Sequence, residues 1–248
     1  MRGLLTALGF LTVAPVGRMG EPREGDLGRA VMWFPLVGLV IGLALAGVDW
    51  CGRALWDGYV AAALVIGATL LITGGLHLDG LMDTADAFFS HRDREGMLEV
   101  MRDSRAGALG VAAGVSLMLA KFAGYGHLEG VEHWRVVAIT PVMGRLGLAM
   151  SVTLFPYARE SGTGARFAAE AGAWHGFGAV MIAVLASFGL MHWGGLALAG
   201  AAMICALAVG AYASGRLGGL TGDVYGAINE LVELAAVLAG PLVFGGGI

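Results

Sequence analysis

The sequence predicts an all-α membrane protein: a polytopic transmembrane helix bundle of six to eight spans with an amphipathic acidic segment on its cytoplasmic side. Three observations carry this. The 248 residues are 57% hydrophobic and only 14% charged, whereas soluble domains are about a quarter charged. Apolar runs long enough, or nearly so, to cross a bilayer occur at 30–48, 59–76, 106–126, 136–155, 176–191, 193–211 and 225–244. The arginines between those runs alternate in abundance along the whole chain.

The first run, 3–16, is short and is broken by Pro15. Arg2 followed by apolar residues has the start of a signal peptide, but no small-x-small cleavage site follows. A retained segment, short or re-entrant, is expected. The runs 176–191 and 193–211 are joined so tightly that a hairpin is suggested. Connections 17–29, 77–105, 158–175 and 212–224 carry Arg18, Arg23, Arg29, Arg92, Arg94, Arg102, Arg105, Arg159, Arg166 and Arg216. The alternate connections, 49–58 and 127–135, carry only Arg53 and Arg135, beside Asp49, Asp57, Glu129 and Glu132. Cytoplasmic loops collect arginine, so the first set is expected inside. Residues 1–248 read as one integral membrane domain, without internal repeats. A net charge of −4 and the absence of a basic tract argue against nucleic acid. Cys51 and Cys205 form neither a metal motif nor a disulfide framework.

The chemistry concentrates in 77–105. It opens H-L-D-G-L-M-D-T-A-D-A-F-F and closes V-M-R-D-S-R-A-G. Asp79, Asp83 and Asp86 are four and three residues apart, which puts them on one helical face. At about 6 Å and an effective dielectric of about 20, each neighbouring pair costs on the order of 3 kcal/mol. A cation relieves that repulsion, and carboxylates favour hard ions such as Mg²⁺. A solvated acidic face is the bland alternative. Asp103 is a candidate further ligand or general base, with Ser104 beside it. Arg102 and Arg105 offer forks for phosphate oxygens. For Arg92 and Arg94, simple anchoring suffices. His77 is either a substrate-binding group or a satisfied interfacial histidine.

A second acidic face is expected in G-G-L-T-G-D-V-Y-G-A-I-N-E-L-V-E-L, 218–234. It holds Asp223, Asn229, Glu230 and Glu233. Asp223 and Asn229 are candidate substrate ligands, and Glu230 a candidate catalytic acid or base. A cap at Thr221 or Asp223 is the simpler reading, but Glu233 is flanked by apolar residues, where an ionised group is functional by default. Lys121, the sole lysine, is expected to snorkel to the outer interface. Arg145 lies nearer mid-span and calls for a carboxylate or a substrate phosphate. The loop P-Y-A-R-E-S-G-T-G-A-R-F, 156–167, is a weaker ligand signal.

Taken together, these residues suggest Mg²⁺-dependent chemistry on a diphosphate. No Walker loop and no G-x-S-x-G is present. The motifs H-L-D-G-L-M-D-T-A-D-A, M-R-D-S-R-A-G-A-L-G and G-G-L-T-G-D-V-Y-G-A-I-N-E-L-V-E-L resemble those of the cobalamin synthase, or adenosylcobinamide-GDP ribazoletransferase, family. F-L-T-V-A-P-V and Y-A-R-E-S-G-T-G are similar too, and the order matches over essentially the full length. Met82 stands where a smaller residue is expected. The resemblance implies a bacterial inner-membrane enzyme of the late cobamide pathway with Mg²⁺ as cofactor, and the arginine placement expects its active site to face the cytoplasm. It would join adenosylcobinamide-GDP to α-ribazole or α-ribazole 5′-phosphate, giving adenosylcobalamin or its phosphate and releasing GMP. A CDP-alcohol or prenyl-diphosphate transferase is the nearest alternative, and an ion-coupled transporter is the alternative from another class. A homo-oligomer stays open.

Overall fold

The computed structural model describes residues 2–15, 22–130 and 133–244. Arg18 and Glu132, both used in the side assignment, lie outside them. The described residues are helical: α1 (Arg2–Leu11), α2 (Asp26–Leu55), α3 (Gly58–Thr73), α4 (Leu76–Phe89), α5 (Arg94–Val100), α6 (Ala108–Gly126), α7 (His133–Leu154), α8 (Thr163–Glu170), α9 (Ala173–Leu217) and α10 (Gly222–Phe244). Five helices are long and apolar enough to cross a membrane, or six if the bent pair α3–α4 counts as one span.

The 45 residues of α9 do not run straight. His192 sits at φ 50°, ψ −132°, and a Cβ on Gly195 would collide with the Ser187 carbonyl. Eight residues along a straight helix would be about 12 Å apart, so the chain reverses there. The suggested hairpin is present, and each of the seven apolar runs has its own helix or helical arm. By contrast, α1 has ten residues, about 15 Å of rise against a hydrocarbon core of about 30 Å. It buries Gly3, Ala7 and Leu11 and packs along α2.

Helix α7 is the axis of the bundle. It is buried from Val136 to Val152, with α2, α9 and α10 packed around it. Outward faces elsewhere are apolar, with Leu71, Leu119, Leu185 and Ile204 exposed, as contact with lipid requires. One end of the bundle is closed by Arg53. It pairs with Asp49 at 3.0 Å and donates to the carbonyls of Leu128 (2.9 Å) and Tyr125 (2.8 Å).

At the opposite, arginine-rich end, the four polar connections lock together. Glu170 Oε2 accepts from the amides of Leu27 (3.0 Å) and Gly28 (3.3 Å), capping α2 from 142 residues away. Arg94, read as an anchor, donates through Nε to the Leu217 carbonyl at 2.6 Å. Leu220 exchanges backbone hydrogen bonds with Pro156 and Ala158, both 2.8 Å. Asp93 caps α5 through the Gly96 amide at 2.9 Å.

Helix α4 owes its direction to two glycines. Gly74 and Gly75 both sit in the left-handed region, at φ 63° and 71°, which side chains disfavour. The chain turns 92° there. At 14 residues α4 is too short to cross by itself, and it runs beside Asp223 and the arginine-rich connections. It packs on α10, α6 and α5.

Candidate active site

Helices α4 and α10 cross in close contact. A Cβ on Gly80 would stand 2.7 Å from the Asp223 carbonyl, and one on Gly226 would stand 2.9 Å from the His77 carbonyl. With no side chain on either glycine, the backbones meet, and Asp223 from the start of α10 joins the aspartates of α4. Along the chain Asp223 belongs to a second acidic face with Glu230 and Glu233, but the crossing merges it with the first. Thr221 caps α10 by accepting from the Val224 amide at 3.3 Å, and donates to Asp223 at 3.2 Å. Arg159 donates to the same Asp223 oxygen at 2.8 Å.

Asp83 stands among these charges. Burial pushes its carboxyl up to about 6, helped by the carboxylates of Asp79, Asp223 and Asp86, with the Arg159 guanidinium opposing. The carboxylates of Asp79 and Asp83 accept no hydrogen bond among the described residues. Asp86 differs: its two oxygens accept from the amides of Gly107 (2.7 Å) and Gly110 (2.8 Å). It therefore caps α6, a role its place in the metal triad did not announce. Each oxygen retains a second lone pair. Among the described residues, no three His, Cys, Asp or Glu side chains converge closely enough to hold an ion as they stand. What fits a hard divalent cation is the chemistry: oxygen-only donors, and four carboxylates in one field with one guanidinium against them. Met82, the outsized residue, is accommodated by a glycine, since a Cβ on Gly114 would stand 3.0 Å from its Cγ.

Two cavities flank the aspartate face. One is an open basin of about 580 Å³ lined by Asp83, Asp86, Arg92, Arg102, Asp103 and Arg105. The other is more enclosed, about 290 Å³, and Asp79, Arg159 and Asp223 share its lining with His77 and several aromatic side chains. In the basin, Arg105 grips both oxygens of Asp103, at 3.0 and 2.7 Å. Those hydrogen bonds, with that of the Arg105 amide, hold the Asp103 carboxyl down to about 2. The pair is largely exposed, so Asp103 and Arg105 present a joined carboxylate and guanidinium to the basin. Arg102 lines the basin as expected; Ser104 is exposed beside it.

The remaining candidates are brought together elsewhere. Lys121 does not snorkel. It is buried, with Nζ 2.7 Å from both Glu230 and Glu233. Arg145 also pairs with Glu233, and Asn229 donates to Glu233 at 3.2 Å. Two acids and two bases therefore neutralise one another between α6, α7 and α10. Glu230, Arg145 and Asn229 line neither cavity, which removes them from direct contact with substrate there. Their positions follow from the price of burying a charge: inside a bundle an opposite charge is the only adequate partner. His77 is buried, lines the smaller cavity, and its Nε2 has no hydrogen-bond partner among the described residues.

The chain matches known proteins over nearly its full length. A protein from Desulforamulus reducens is 36% identical over 231 residues, covering 93% of this chain and 92% of its own. One from Roseiflexus is 40% identical over 238 residues, covering 93% and 86%. One from Pseudomonas savastanoi pv. phaseolicola is 37% identical over 236 residues, covering 94% and 96%. All three bear the name adenosylcobinamide-GDP ribazoletransferase. No solved structure matches significantly. The family model described as cobalamin-5-phosphate synthase matches residues 3–240, and the chain belongs to that family.

Proposed function

We propose that the protein joins adenosylcobinamide-GDP to α-ribazole, or to α-ribazole 5′-phosphate, at the cytoplasmic face of a bacterial inner membrane. The products are adenosylcobalamin, or its phosphate, and GMP. The observation that carries this reading is the cluster of Asp79, Asp83, Asp223 and Arg159 standing between two cavities in a chain of this family.

The chemistry is a phosphoryl transfer. A ribazole hydroxyl attacks the phosphorus attached to cobinamide, an O–P bond forms, and the bond to GMP breaks. Arg102 and the Arg105–Asp103 pair face the basin where a diphosphate enters, and Arg102 has no carboxylate partner among the described residues. Asp79 receives the hydroxyl proton, since it lines the smaller cavity and its carboxylate is not tied to a backbone amide. Arg159 fixes Asp223 and offsets part of the negative field on the attacking side. Asp79, Asp83 and Asp223 would hold Mg²⁺, with Asp86 behind them. Bound there, the ion supplies positive charge against the diphosphate oxygens and the departing phosphate.

The test is product analysis. Purified protein in lipid is incubated with adenosylcobinamide-GDP, α-ribazole 5′-phosphate and Mg²⁺, and products are read by mass spectrometry. Expected are GMP and adenosylcobalamin phosphate in equal amounts, and neither after EDTA. Absence of both from active-fold protein supplied with Mg²⁺ overturns the reading.

A further inference from the structure

The smaller cavity has a wall that the chemistry above does not use. Phe10 of α1, Phe34 of α2 and Phe167 of α8 form a ring cluster with centroids 4.6 to 6.0 Å apart. Tyr157 and Tyr225 pair at 6.0 Å, and Leu148 and Val152 of α7 complete the lining. Phe34, Phe167 and Tyr225 are almost wholly buried. The short α1, which cannot span, supplies one of these rings. The charged lining, Asp79, Arg159 and Asp223, is the catalytic face itself.

The geometry points to this cavity as the seat of the acceptor: the flat, largely apolar aromatic base of α-ribazole lies against Phe10 and Tyr157, which keep partly exposed faces and are backed by the buried Phe34, Phe167 and Tyr225, with its sugar toward Asp79. This rests on the reaction proposed above. Three facts select the occupant. In-line displacement puts nucleophile and leaving group on opposite sides of the phosphorus, and the two cavities flank the aspartates. The basin carries Arg92, Arg102 and Arg105, which suit the charged donor, whereas the smaller cavity offers a single guanidinium. At about 290 Å³ it lies at the small end of ligand sites, room for a bicyclic ring and not for a corrinoid. Aromatic walls reward stacking in offset and tilted arrangements.

Val152→Phe fills the cavity from α7 without touching a charged group. The expected result is a KM for α-ribazole 5′-phosphate raised at least tenfold, with the KM for adenosylcobinamide-GDP within twofold of wild type. Val152→Leu, a smaller intrusion, moves the same constant in the same direction. A raised donor KM instead, or an unmoved acceptor KM in folded variants, overturns the assignment. A measurement on the wild type stands if the variants misfold. A photoreactive α-ribazole analogue should label the peptide containing Tyr157 and Phe167; labelling confined to 92–105 refutes the site. Wild-type protein that releases GMP while failing these tests loses the pocket alone. Wild-type protein that releases none loses the reaction.

Discussion

Arg159 Nη2 donates to Asp223 Oδ2 at 2.8 Å, tying the loop after α7 to the first turn of α10 beside Asp83. Its guanidinium opposes the three carboxylates, Asp79, Asp223 and Asp86, that raise Asp83. Arg159→Gln removes the charge and leaves a hydrogen-bonding amide. A charge-assisted bond of this kind is worth about 1.5–3 kcal/mol, so turnover should fall roughly tenfold to a hundredfold. Mn²⁺ affinity, measured by electron paramagnetic resonance, should hold or rise, because the field becomes more negative. A parallel loss of metal binding and turnover contradicts this account of Arg159.

Asp83→Asn keeps the shape and removes the central charge. GMP release should drop by at least about a hundredfold, while the protein elutes as wild type in detergent. Asp103→Asn should cost much less, since Arg105 already occupies that carboxylate.

Protons and metal compete at Asp83. Its carboxyl is raised to about 6, so in metal-free protein it is protonated below that pH and ionised above. A cation needs the ionised form. Divalent affinity should therefore be flat above pH 7 and fall as pH drops through 6, by about tenfold per unit for one released proton. Titration calorimetry in two buffers of different ionisation enthalpy reads that proton directly. In Asp83→Asn the dependence between pH 5 and 7 should vanish.

Lys121→Met leaves Glu230 and Glu233 facing each other without their shared cation. Breaking a buried pair costs about 3–5 kcal/mol, and thermal unfolding in detergent should shift down accordingly. Adding Glu230→Gln should recover part of the loss. Catalysis by folded protein should suffer less than stability, because these side chains line neither cavity.

Gly80→Ala places a methyl 2.7 Å from the Asp223 carbonyl. Overpacking of this kind costs about 1–3 kcal/mol. Its larger effect should be on turnover, since α4 must back away from α10 and carry the aspartates off Asp223.

What could be read without coordinates follows from distance along the chain. The Asp79, Asp83 and Asp86 face, the α9 hairpin and the arginine-rich end are local patterns, and all three stand in the structure. The place of Asp223 is not legible along the chain, because the crossing that sets it depends on Gly80 and Gly226, 146 positions apart. Lys121 hides its partners for a similar reason: they lie 109 and 112 residues on, and without them snorkelling is the sensible default. Asp86 illustrates a third kind of limit. A carboxylate that caps a helix and one that awaits a metal look alike until the amides of Gly107 and Gly110 are seen.

The bend at Gly74 and Gly75 has a mechanical result. Helix α3 packs on α2 and α6, whereas α4 is held by α10, α6 and α5, so apart from the two glycines only α6 touches both. A thicker or thinner bilayer that tilts α3 reaches the aspartates through α6, while α10 and α5 hold them in place. Reaction rates measured in lipids of different chain length should accordingly vary little.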